Sequence, residues 1–145
     1  MLDYIALDLE GTLISTAASQ IPRPGLYGFM SLCSQYTTRV VIYTAVDSGR
    51  CRDILQTLVK FNDVPEWVGN MEILQWENKN PKQQKDLRLI QSNWQHGLLV
   101  DDLKEYVVNE QVGNWLPIQT FTGREADDTE LTRIGEIIKK RFNLQ

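Results

Sequence analysis

The sequence predicts an α/β domain, a three-layer sandwich in which helices cover a parallel sheet, on three observations. Short apolar, β-branched runs alternate with stretches of helical periodicity; two of those runs end in carboxylates; and turn-forming residues separate the segments. Alternation of this kind implies βαβ units with right-handed crossovers and about five parallel strands.

The elements follow in order. Ile5, Leu7 and their neighbours form an apolar run that stops at Asp8, a first strand, and Gly11 with Pro22-Arg23-Pro24-Gly25 marks turn and loop. From Gly25, Leu26, Phe29, Met30, Cys33 and Tyr36 recur at helical spacing and give a helix with one buried face. Arg39 to Thr44 is continuously apolar and β-branched, as a strand covered on both faces requires. Asp47 or Ser48 then caps a helix to about Phe61, with Cys51, Ile54, Leu55, Leu58 and Val59 inward. Val64 to Trp76 reads as a third strand with irregular flanks, and Gln75 to Pro81 as polar loop. Leu87, Ile90 and Gln91 predict a helix over Gln83 to Trp94, and Leu98-Leu99-Val100 a strand running into Asp101-Asp102. A last strand near Ile118 to Phe121 and a helix from about Asp127 to Phe142 complete the chain.

At 145 residues, 42% hydrophobic and 23% charged, the chain has the length and apolar content for a single domain spanning residues 1–145. A formal net charge of −4 argues against a nucleic-acid partner, which requires a basic face. Apolar stretches such as Val40 to Tyr43 fall far short of the roughly 20 residues of a membrane helix, so no membrane partner is expected. Met1-Leu-Asp-Tyr4 passes directly into a strand pattern without a basic leader, and the expectation is a cytoplasmic protein. Cys33 and Cys51 form no CxxC pattern and read as reduced and structural.

In a parallel sheet the ligand crevice lies beyond the carboxyl ends of the strands. The residues that end strands here are Asp8 and Glu10, Thr44, and Asp101 with Asp102. Acids gathered in one place cost several kcal/mol when desolvated and unpaired, so a cation belongs among them. All-oxygen donors with room for water and phosphate suit Mg²⁺ better than zinc. Asp8 can attack phosphorus without a base to activate it. Glu10 can protonate the leaving oxygen and then deprotonate water. Thr44 and the amides after it, at Ala45, with the Gly11 turn, can hold the phosphoryl oxygens, while a lysine neutralises the developing charge.

Asp8-Leu-Glu-Gly-Thr-Leu13 resembles the first motif of the haloacid dehalogenase superfamily, Tyr43-Thr44-Ala45 its second and Leu99-Val100-Asp101-Asp102 its fourth. Within it, Arg23-Pro-Gly-Leu-Tyr-Gly-Phe29 and Lys85-Asp86-Leu87 are similar to segments of the capless branch that holds the NIF-like and RNA polymerase C-terminal-domain phosphatases. The resemblance implies a Rossmann-like phosphatase fold without a cap domain, since about 35 residues between the first two motifs leave room only for a short flap at 14–22. It further implies Asp8 as phosphorylated nucleophile, Thr44 as phosphate binder and Lys85 as the phosphate-neutralising lysine. Asp8, the Glu10 carbonyl, and Asp101 or Asp102 would be the metal ligands. Glu10 stands where most of the superfamily's phosphatases carry aspartate, although enolase-phosphatases also carry glutamate there. The expected function is Mg²⁺-dependent hydrolysis of a phosphorylated protein or small molecule. The alternatives are a phosphate- or phosphoprotein-binding module with weak turnover, and a metabolite or nucleotide phosphatase.

Several residues carry blander readings. Lys82 lies three positions from Lys85, and either can reach inward. Asp127-Asp128-Thr129 reads as a helix cap. Cys33 to Arg39 has the C-x5-R spacing of cysteine phosphatases but lacks glycine between them, and Cys33 falls on an apolar helix face. His96 reads as a loop or packing residue, and the four tryptophans as core or rim.

Overall fold

The structure, a computed structural model, describes residues 1–77 and 83–143. In chain order its elements are β1 (Tyr4–Leu7), α1 (Leu26–Tyr36), β2 (Val40–Thr44), α2 (Ser48–Lys60), β3 (Glu72–Gln75), β4 (Gly97–Asp101), β5 (Trp115–Pro117) and α3 (Glu130–Arg141). The five strands form one all-parallel sheet in the order β3-β2-β1-β4-β5. This is the α/β fold expected, and it has no cap domain.

Strand alternation divides the core in two. Ile5, Leu7, Ile42, Leu98 and Val100 point to one face, where they meet the buried sides of α1, α2 and α3. Tyr4, Ala6, Tyr43 and Leu99 point to the other and pack on Trp76, Leu87, Ile90 and Val107. The path β1-β2-β3 crosses the sheet in one direction, so right-handed crossovers put α1 and α2 on the same face; the return to β4 and β5 puts its connections on the opposite face.

That opposite face is where expectation and structure part. The helix read over Gln83 to Trp94 is replaced, among the described residues, by 3₁₀ turns at Leu87–Leu89 and Trp94–His96. Buried residues three apart, Leu87 and Ile90, fit one 3₁₀ turn as well as a helix. Lys85 is held extended by a parallel bridge to Val107, and the Asp86 carboxylate accepts the Arg88 N–H, which limits the turn. The last strand is Trp115–Pro117, not Ile118 to Phe121. Pro117 is tolerated because β5 is an edge strand and its nitrogen faces the open edge, while the Ile118 N–H still donates to the Asp101 carbonyl at 3.4 Å. The following residues leave the sheet, and the Phe121 N–H donates to the Gly11 carbonyl at 2.9 Å.

The remaining elements match closely. Asp47 caps α2, its carboxylate accepting the Arg50 N–H at 3.2 Å. The stretch before β3 is a 3₁₀ turn at Glu66–Asn70. Cys33 and Cys51 are free and buried. Of the polar loop at Gln75 to Pro81, residues 78–81 lie outside the described residues, as does Lys82. No helix among the described residues is long and apolar enough to cross a membrane.

Candidate active site

Sheet register assembles the site. Leu7 is paired with Ile42 on one side and Val100 on the other, so the next residues, Asp8, Tyr43-Thr44 and Asp101, emerge side by side at the carboxyl edge. The β1/β4 boundary is also where the strand order reverses, leaving a crevice between diverging connections.

Carboxylate oxygens of Asp8, Asp101 and Asp102 lie within 4.8 Å of one another. Lys85 enters from below, 1% exposed, and its Nζ donates to Asp8 Oδ1 at 2.9 Å and Asp101 Oδ2 at 2.7 Å. The rings of Trp76, Tyr106 and Tyr43 surround that ammonium at 5.5, 5.7 and 6.0 Å. The other Asp8 oxygen accepts from the Thr12 hydroxyl at 2.9 Å. Asp101 has both oxygens engaged, the second by the Leu103 N–H at 2.9 Å. Asp102, at the crevice, accepts from the Thr120 hydroxyl at 2.7 Å.

Charge is out of balance in this cluster. Burial pushes the Asp8 carboxyl well above the usual carboxylate range, and the Asp101 charge adds to this while Lys85 opposes it. Asp101 is raised for the same leading reason, burial, again against the pull of Lys85. Burial works to lower the Lys85 ammonium, yet Asp8 and Asp101 together outweigh it and the net shift is upward. One ammonium thus serves two buried carboxylates with a third alongside. A second positive charge would relieve the imbalance, and an all-oxygen donor set of this size fits a hard divalent cation.

The other expected residues sit around this cluster. Thr44 is buried at the end of β2, where its hydroxyl oxygen accepts the Val46 N–H at 3.1 Å, and Ala45 beyond it is exposed. The carboxylate of the exposed Glu10 accepts the Ala17 N–H at 2.7 Å, and its side chain is not part of the aspartate cluster. Gly11 adopts φ +77°, and a Cβ there would lie 2.5 Å from Asp102 Oδ2. Gly11→Ala should therefore lower stability by about 1–3 kcal/mol, read from the urea midpoint. An unchanged midpoint would show that the loop relaxes freely.

Sequence reasoning missed the supports. Thr12 lies inside the first motif, but nothing marked Thr120, Tyr106 or the pairing of Arg23 with Asp128, because each acts across a large chain separation. Asp128 does accept the Glu130 N–H at the start of α3, as a cap would, while also binding Arg23 in bidentate fashion.

A parallel α/β sheet carrying an acid cluster and a buried lysine at its switch point is the arrangement that the resemblance to the haloacid dehalogenase phosphatases leads one to expect. Comparison with known families matches residues 4–143 to NLI interacting factor-like phosphatase, and the chain belongs to that family, related to the RNA polymerase C-terminal-domain phosphatases. Membership makes the protein a phosphatase, a hydrolase of phosphorylated substrates. No curated protein matches its sequence.

Proposed function

We propose that the protein is a Mg²⁺-dependent phosphomonoester hydrolase that works through a phosphorylated Asp8. The observation that carries this reading is the convergence of Asp8, Lys85 and Asp102 at one point on the sheet edge. Asp8 and Asp102, with the Glu10 carbonyl, would hold the ion. Asp102 is favoured over Asp101 because it is part-exposed at the crevice, whereas Asp101 is fully buried against Lys85 and the Leu103 N–H. Bound there, Mg²⁺ supplies positive charge to the phosphoryl oxygens.

The chain's own residues carry the reaction. A carboxylate oxygen of Asp8 attacks phosphorus; the ester P–O bond breaks, and Glu10 gives its proton to the leaving oxygen. Water then attacks the acyl phosphate, Glu10 takes the water's proton, and the Asp8 carboxylate leaves with its electron pair. Thr44, Ala45 and the Gly11 turn hold the phosphoryl oxygens, and Lys85 neutralises charge on the Asp8 side. Asp101 keeps Lys85 in place. For either proton transfer the Glu10 carboxyl must exchange its Ala17 partner for the reacting oxygen.

Hydrolysis of p-nitrophenyl phosphate with and without Mg²⁺ tests the reading, followed by a panel of phosphopeptides, nucleotides and sugar phosphates to find the substrate class. Glu10→Gln should reduce kcat by about 10²–10⁴-fold. Its Mn²⁺ affinity should stay at the wild-type value, because the proposed ligand is the backbone oxygen. Parallel loss of turnover and metal binding would place the Glu10 side chain on the ion instead.

A further inference from the structure

Arg23 is among the largest fully buried side chains, 1% exposed, and the proposed chemistry makes no use of it. All five of its N–H donors are engaged. Nε and one Nη2 hydrogen clasp Asp128, both at 2.8 Å. Nη1 donates to the Gly11 and Thr12 carbonyls, each at 3.2 Å, and Nη2 also donates to the Gln119 carbonyl at 2.7 Å. The guanidinium carbon lies 5.4 Å from the centre of the Phe121 ring, and the Phe121 N–H in turn holds the Gly11 carbonyl.

These contacts join two loops that reach the carboxylates from different sides. Thr12 bonds to Asp8, and Thr120, next to Gln119, bonds to Asp102. A buried ion pair often adds little net stability relative to apolar side chains, but a bidentate, planar guanidinium fixes direction as well as distance. Side chains that orient metal ligands typically affect affinity by about 10–100-fold.

We propose that Arg23, locked on Asp128, is a positioning residue that sets the metal affinity of the site by holding Thr12 against Asp8 and Thr120 against Asp102. The inference rests on the reading of Asp8 and Asp102 as metal ligands. Lysine at position 23 keeps the charge opposite Asp128 but cannot span both loops, since its compact ammonium has no fork.

The experiment is Mn²⁺ titration of the whole chain followed by electron paramagnetic resonance, with thermal melts in parallel. Thr120→Val and Arg23→Lys should each weaken Mn²⁺ binding by about tenfold. The double variant should fall well short of the roughly hundredfold that independent effects multiply to, because part of the Arg23 effect runs through the Thr120–Asp102 bond that Thr120→Val already removes. Wild-type affinity in a folded Arg23→Lys chain, or a full product in the double variant, overturns the proposal and leaves Arg23 a packing residue. Should Arg23→Lys fail to fold, Asp128→Asn takes its place in the same cycle with the same two outcomes. A wild-type chain that binds no Mn²⁺ overturns the metal-site reading and this proposal together; wild-type binding with unaltered variants overturns this proposal alone.

Discussion

Asp8→Asn should reduce phosphatase turnover by at least about a thousandfold while the chain remains folded. The amide is nearly isosteric with the carboxylate but is a poor nucleophile, so no acyl phosphate forms. Acid-quench trapping of labelled phosphate on the protein gives a second readout: label should appear on the wild-type chain and vanish in Asp8→Asn. Cys33→Ala is the control, because Cys33 is fully buried on α1 and burial pushes its thiol up, away from the reactive thiolate. Retained turnover in Asp8→Asn with loss in Cys33→Ala would overturn the mechanism.

Lys85→Met should be costly in two separable ways. Removing one partner of a buried ion pair strands the other, at about 3–5 kcal/mol, and here two carboxylates, Asp8 and Asp101, lose the same ammonium. The urea midpoint should fall accordingly, and turnover should be lost because nothing replaces the charge beside Asp8. Adding Asp101→Asn to Lys85→Met removes one stranded charge and should recover part of the stability without recovering turnover. No stability loss in Lys85→Met would mean that the carboxylates take up protons at little cost, and the charge imbalance argued for this cluster would not hold.

The two supports for these predictions were unequally visible in the sequence. Asp8, Thr44 and Asp101-Asp102 end apolar runs, so a parallel sheet brings them to one edge whatever its strand order. Lys85 was harder, with Lys82 as a rival, and only the fold shows Lys85 bridged to Val107 and turned into the core beneath Asp8. Its neighbourhood misled in another respect, because Leu87 and Ile90 have helical spacing over a stretch too short to separate a helix from a 3₁₀ turn. The shift of the last strand has a tertiary origin: Ile118 to Phe121 has strand-like residues, but beyond Ile118 the chain leaves the sheet and the Phe121 N–H bonds the Gly11 carbonyl instead.

Hydrophobic periodicity is a local property, and by itself it determined the α/β class, the buried faces of α1, α2 and α3, and the carboxylates at the strand ends. The Arg23 clamp joins residues 96 to 105 positions apart, and the Thr120 bond to Asp102 spans 18 with β5 between them. Such contacts follow from the strand order and register of the whole sheet, and no local pattern of side chains encodes them. Only the tertiary structure therefore decided that Lys85 faces Asp8, that Asp101 is buried beside it while Asp102 meets the crevice, and what holds them there.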